Sequence, residues 1–186
     1  IFSCYEACRL DPSLRIAVIE AGSPLEQRKC PIDGVRIKSC INCPTCAIMN
    51  GFGGAGAFSD GKYNITNQFG GSLYEYVGNN AEIRKKCLEN DLHLLDAKVR
   101  HLGTDINYIV LQNLFDELKD KADFFFHTRI EEVRQTEAGY QLISSKGEVF
   151  EGKQCIISTG RSGSKWMQKI CDSLHIRTES NRVDIG

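Results

Sequence analysis

The chain has 186 residues, 41% hydrophobic and 25% charged, with 23 basic against 24 acidic side chains and a net charge of −1. That length supports one domain with a sizeable core, and the balanced charge offers no basic excess to attract nucleic acid or an anionic membrane surface. No apolar run is long enough for a membrane span, the opening residues lack the layout of a secretory signal, and the nine cysteines, an odd number, read as reduced thiols of a cytoplasmic protein.

Ile1, Cys4, Tyr5 and Cys8 are spaced as one face of a helix over residues 1–10, which Asp11-Pro12 ends. Arg15 to Glu20 is a short apolar run rich in β-branched residues and closed by Ala21-Gly22; it reads as a strand buried on both faces of a parallel sheet. A helix leading into such a strand implies an earlier strand before Ile1. Residues 23–71 are rich in Gly, Cys, Pro and Asn and hold no period, so they are expected to line a site or to be pinned by a ligand. From about Asn80 to Ala97 a helix is expected, with Ile83, Cys87, Leu88, Leu92 and Leu95 on its apolar face. Thr104 to Asn107 offers N-caps for a second helix, Tyr108 to Lys121, whose apolar face includes Leu111, Leu114, Phe115 and Leu118.

The period then changes to two. Asp123 to His127 reads as a strand, and Arg129 to Gln135, Tyr140 to Ser144 and Glu148 to Glu151 read as an antiparallel meander with turns at Glu137-Ala138-Gly139 and Ser145-Lys146-Gly147. Gln154 to Gly160 is expected to be a further buried strand ending in a glycine turn. Ser164 opens a helix through Leu174, with Trp166, Met167 and Ile170 on one packed face.

Two features carry chemistry. In a dinucleotide-binding βαβ unit an acidic residue at the end of the second strand bonds the ribose hydroxyls, while a glycine turn after the first strand sets the pyrophosphate on a helix N-terminus. Helix 1–10, strand 15–20 and terminal Glu20 reproduce the second half of that unit. Gly51 to Gly56 matches the glycine fingerprint formally, but it follows a cysteine loop where a strand is required and precedes residues of poor helix propensity. The working turn is therefore expected before Ile1. The five glycines Gly51, Gly53, Gly54, Gly56 and Gly61 then imply close backbone approach to a flat or phosphate-bearing ligand.

The run GFGGAGAFSDGKYNITNQFGG, after paired cysteines and Arg28, resembles the signature of an uncharacterised family of FAD-dependent dehydrogenases with a glutathione-reductase-type FAD domain. The Glu20 strand end, the helix opening near Gly103-Thr104-Asp105, Thr128-Arg129-Ile130-Glu131 and Ser158-Thr159-Gly160-Arg161-Ser162-Gly163 fall in that family's order. The resemblance implies an α/β, three-layer, Rossmann-like FAD/NAD(P)-binding domain with a mostly parallel sheet and a small antiparallel meander. Residues 1–186 would be a partial FAD-binding domain, with the first strand and phosphate loop missing before Ile1 and the substrate domain absent after Gly186. Such a piece is expected to bind FAD poorly and to be inactive by itself, within a flavoprotein oxidoreductase moving hydride or electrons between FAD and an unknown small-molecule substrate or electron carrier.

By the same resemblance Glu20 binds the adenosine ribose and Arg28 lies near the phosphates. The loop from Gly53 through Gly54, Ala55, Gly56, Ser59 and Asp60 to Lys62 lies along the ribityl chain and isoalloxazine, Ile130 meets the adenine through its backbone, and Thr159-Gly160 passes close to the cofactor. Lys62 or a loop N–H would stabilise negative charge on the reduced ring. A turn role for Asp60 and a solvated position for Lys62 are the alternatives.

Cys40-x-x-Cys43-x-x-Cys46, with Cys30 upstream, allows three readings: reduced thiols without metal, a zinc or iron–sulfur site on these four ligands, or a redox dithiol. The metal reading carries the rival function, a cysteine-rich binding module without catalysis of its own. Cys4, Cys8, Cys87, Cys155 and Cys171 fall on apolar faces as small core residues. His127 is expected at the core or edge of its strand, and none of His93, His101, His127 or His175 has a visible partner for acid–base work.

Overall fold

The computed structural model describes residues 1–59, 62–64, 99–101 and 103–179. The helix expected over about 80–97 and Cys87 lie outside these residues. Within them the architecture is mixed α/β, with one small parallel sheet and two small antiparallel ones.

Helix α1 (Phe2–Leu10) leads into strand β1 (Ala17–Ile19), as the spacing predicts. Helix α2 (Thr104–Leu118) follows a short antiparallel pair, β2 (Lys62–Asn64) with β3 (Val99–His101). Strand β4 (Asp123–Phe125) then pairs in parallel with β1, setting Ala17 opposite Asp123 and Ile19 opposite Phe125. Main-chain bonds carry the pairing past both ends, from Asp123 N–H to Ile16 O at 2.8 Å and from Glu20 N–H to Phe125 O at 2.9 Å.

The core has two adjoining parts. Cys4 and Cys8 of α1 meet Leu118 and Ala122 at the end of α2, with Ile16 and Val18 packed on them. Burial, and then the neighbouring Cys8, push the Cys4 thiol up to about 11, so Cys4 packs here as a small apolar residue. In the second part Leu25, Phe52 and Ala57 of the glycine-rich region pack on Leu111 of α2. Phe52 stands edge-on to Phe115 at 5.0 Å, Phe115 edge-on to Phe124 at 5.3 Å, and Phe124 stacks on Phe126 at 5.9 Å. Each such pair contributes about 0.5–1.5 kcal/mol beyond burial. The irregular segment is therefore fastened to α2 and β4 by an aromatic core.

The meander is β5 (Ile130–Thr136), β6 (Gly139–Ser144) and β7 (Val149–Gly152), with β6 in the middle. Thr136 pairs with Gly139 across a two-residue turn, as expected from Glu137-Ala138-Gly139. Phe150 stands edge-on to Phe125 at 4.9 Å and joins this sheet to β4. Helix α3 (Ser164–Ser173) buries Ile170 and Cys171, and its Trp166 donates Nε1–H to Glu131 O of β5 at 3.2 Å.

Four expectations are corrected. β1 is not buried on both faces: Ala17 is exposed and Val18 and Ile19 are half-buried, because β4 is its sole strand partner among the described residues. Gln154 to Gly160 forms no strand; Ile156 is 72% exposed and Cys155 only half-buried, since no neighbouring strand takes up this segment's main-chain groups. α2 starts earlier than the capping signals suggest, with Gly103 at φ +80° as its cap and Asn107 inside the helix. His127 is exposed and left-handed, at φ 54°, in the turn after β4. No helix among the described residues is long and apolar enough to cross a membrane.

Candidate functional site

Glu20 stands at the end of β1, where the parallel pairing gives way to a turn. Its Oε1 accepts the N–H of Gly22 at 2.8 Å and the N–H of Gly51 at 3.0 Å. One carboxylate oxygen thus ties the strand end to the start of the glycine run, 31 residues away in sequence. Its Oε2 accepts no hydrogen bond among the described residues.

Backbone meets backbone at this junction. A Cβ on Gly22 would overlap Gly51 N and stand 2.6 Å from the Asn50 carbonyl carbon, and one on Gly51 (φ +112°) would stand 2.6 Å from Ser23 O. Neither position admits a side chain. Phe52 N–H to Ser23 O at 3.0 Å and His127 N–H to Gly22 O at 2.9 Å complete the crossing. Thr128, whose N–H reaches Glu20 O at 3.0 Å, brings β5 and Ile130 to the same end of the sheet.

From Gly51 the run turns through Gly53 (φ +83°) into a short 3₁₀ turn, Gly54–Phe58. Gly53 is required by its left-handed backbone and by Leu111, whose Cδ1 would lie 2.9 Å from an added Cβ. Gly54 and Gly56 differ: nothing lies within 4 Å of a Cβ at either, and Gly56 has no left-handed backbone to account for it. Packing therefore gives no reason for glycine at Gly56. Ala55 is exposed, and Ser59 N–H closes the turn on Gly56 O at 3.2 Å.

Arg28 is 5% exposed and faces the inside of the run. Its Nε–H donates to Ala47 O at 2.9 Å, its NH1 group to Phe52 O at 2.6 Å and Gly54 O at 2.8 Å, and its NH2 group to Ile48 O at 2.8 Å. The guanidinium lies 4.8 Å from the centre of the Phe58 ring, a cation–π distance. Burial pulls its pKa down, with the Glu20 carboxylate opposing.

The closing turn also reaches this region, through Ser162 Oγ–H to Asn50 Oδ1 at 3.0 Å. A Cβ at Gly160 would meet nothing within 4 Å, while Thr159 packs against Gly163. The structure thus gathers Glu20, the Gly51–Gly56 run, the start of β5 and the turn after Gly160 around one end of the β1–β4 pair. Asp60 lies outside the described residues, and Lys62 enters only as the first residue of β2.

The donor set for metal is not gathered. Cys30, Cys40, Cys43 and Cys46 are free thiols, and no three His, Cys, Asp or Glu side chains among the described residues are grouped to hold a metal ion. The cysteine loop is instead fixed by Arg129, whose NH2 group donates to Pro44 O and Thr45 Oγ1, each at 3.1 Å.

No model of a known protein family and no curated protein matches the chain.

Asn107 is a site residue that periodicity does not single out. It is 1% exposed and donates Nδ2–H to Gly56 O at 2.8 Å, fixing the glycine run from the α2 side. A signal exists in hindsight: Asn107 precedes Leu111, Leu114 and Leu118 on the helix's apolar stripe, and a polar side chain there needs a buried partner.

Proposed function

We propose that this chain is the FAD-binding part of a flavin-dependent oxidoreductase, with a Rossmann-like three-layer domain as the complete form of the β1–β4 arrangement. The observation that carries this reading is the hydrogen bond from Gly51 N–H to Glu20 Oε1. It puts an acidic strand end, with one oxygen left to accept a hydroxyl, beside a glycine run whose Gly54 and Gly56 face open space. A carboxylate suits a ribose diol, and bare main chain suits a flat ring or a polyol chain.

Bound FAD would supply the hydride or electron chemistry. The protein's share is placement. Glu20 orients the adenosine ribose, Ile130 meets the adenine through its backbone, and Gly53 to Ser59 lies along the ribityl and ring portion, with Thr159 and Gly160 at its side. Loop N–H groups would face the part of the ring that gains negative charge on reduction.

The test uses the purified full-length protein. Wild type is expected to carry a flavin absorbance band through dialysis, whereas Glu20→Ala and Gly56→Ala lose it while their far-ultraviolet circular dichroism is unchanged. A wild-type protein that neither purifies with flavin nor binds added FAD would overturn the proposal.

A further inference from the structure

The guanidinium of Arg28 has five N–H donors in a rigid planar fork. Four main-chain bonds, to Ala47, Ile48, Phe52 and Gly54, occupy most of that fork inside the protein. The carbonyls it binds come from both sides of the Gly51 turn, so one side chain sets the curvature of the whole segment. Each trans-planar peptide points its N–H opposite to its carbonyl, so drawing Phe52 O and Gly54 O inward aims the N–H groups of Gly53 and Ala55 away from the guanidinium. Asn107 repeats the device one step along, drawing Gly56 O toward α2. A phosphate group would have to displace these carbonyls to reach Arg28, and the cation, 5% exposed, presents almost no surface to it.

We propose that Arg28 is a positioning residue for the glycine run: through the carbonyls of Ala47, Ile48, Phe52 and Gly54 it shapes the main chain that lies against the flavin, and it does not pair with the cofactor's phosphates. This rests on the flavin reading above and replaces the phosphate role implied for Arg28 by resemblance. Lysine cannot take over, because a compact ammonium with three donors cannot span four carbonyls held by a planar fork.

The test separates positioning from phosphate pairing with two probes, FAD and riboflavin, which shares the ring and ribityl chain but carries no phosphate. Deflavinated full-length wild type, Arg28→Lys and Asn107→Ala are titrated with each by flavin fluorescence. Arg28→Lys is expected to weaken FAD and riboflavin by the same factor, at least about tenfold, equally at low and high salt; Asn107→Ala is expected to give the same parallel loss at smaller size. A loss for FAD that exceeds the riboflavin loss and shrinks with salt assigns Arg28 to the phosphates and overturns the proposal. Amide hydrogen exchange of residues 47–58, measured without flavin, tests the clamp itself. Faster exchange in Arg28→Lys supports it, and unchanged exchange overturns it even if wild type proves to bind no flavin. Failure of wild type to bind either probe overturns the flavin reading and removes the cofactor-facing half of this inference.

Discussion

Gly22→Ala should be costly for one reason only. Gly22 has no left-handed backbone, so alanine suits its conformation, and the damage comes from contact. The added methyl would overlap Gly51 N and stand 2.6 Å from the Asn50 carbonyl carbon and 2.7 Å from Gly51 Cα, all main-chain atoms that cannot rotate aside. Restoring ordinary van der Waals separation requires the two segments to part by about 1 Å. The Gly51 N–H to Glu20 Oε1 bond, 3.0 Å long, would then stretch to about 4 Å, past hydrogen-bond reach. Losing a charged hydrogen bond and absorbing residual overlap costs about 2–4 kcal/mol. For a chain of this length that is a fall of about 5–15 °C in Tm. Urea denaturation with matched far-ultraviolet and fluorescence probes measures it. A Gly22→Ala protein within about 0.5 kcal/mol of wild type would refute the claim that backbone packs on backbone at this junction.

Gly56→Ala is the complementary case: open space and an ordinary backbone predict unchanged or slightly higher stability, by up to about 1 kcal/mol, in the same urea titration that shows Gly22→Ala to be damaging. Phe52→Ala removes a ring that is 3% exposed and edge-on to Phe115, and should cost about 3–5 kcal/mol in denaturant unfolding; a cost below about 1 kcal/mol would mean that the glycine-rich region is not anchored there. Maleimide labelling at neutral pH followed by peptide mass spectrometry should modify exposed Cys40 well before buried Cys4, Cys8 and Cys171. Cys4 also sets an alkaline limit. Its thiol is held up to about 11 in the folded chain against an ordinary 9.0, so folding favours the protonated form; the stabilisation is whole below about pH 9 and is lost as pH rises through 11. The urea midpoint should fall over that range, and by less in Cys4→Ala.

The order of elements was legible where a pattern repeats along one element. The i, i+3, i+4, i+7 spacing of Ile1, Cys4, Tyr5 and Cys8 placed α1, and alternation with two glycine turns placed β5, β6 and β7. The meeting of Glu20 with the glycine run was anticipated from the expectation that an acidic strand end and a bare main-chain run would answer different parts of one nucleotide. Arg28 was singled out, but its role was not legible, since side-chain bonds to carbonyls 19–26 residues away leave no periodic trace. Gln154 to Gly160 failed for the opposite reason. A run of β-branched apolar residues has strand propensity, yet a strand exists only when a neighbour accepts its ladder, and a linear pattern does not report neighbours.

Trp166 is the one tryptophan of the chain, and its indole N–H is fastened to Glu131 O at the seam between α3 and the three-stranded sheet. Its emission is therefore a built-in gauge of that seam alone. A red shift that precedes loss of far-ultraviolet ellipticity during unfolding would mark the helix peeling away while the rest still holds.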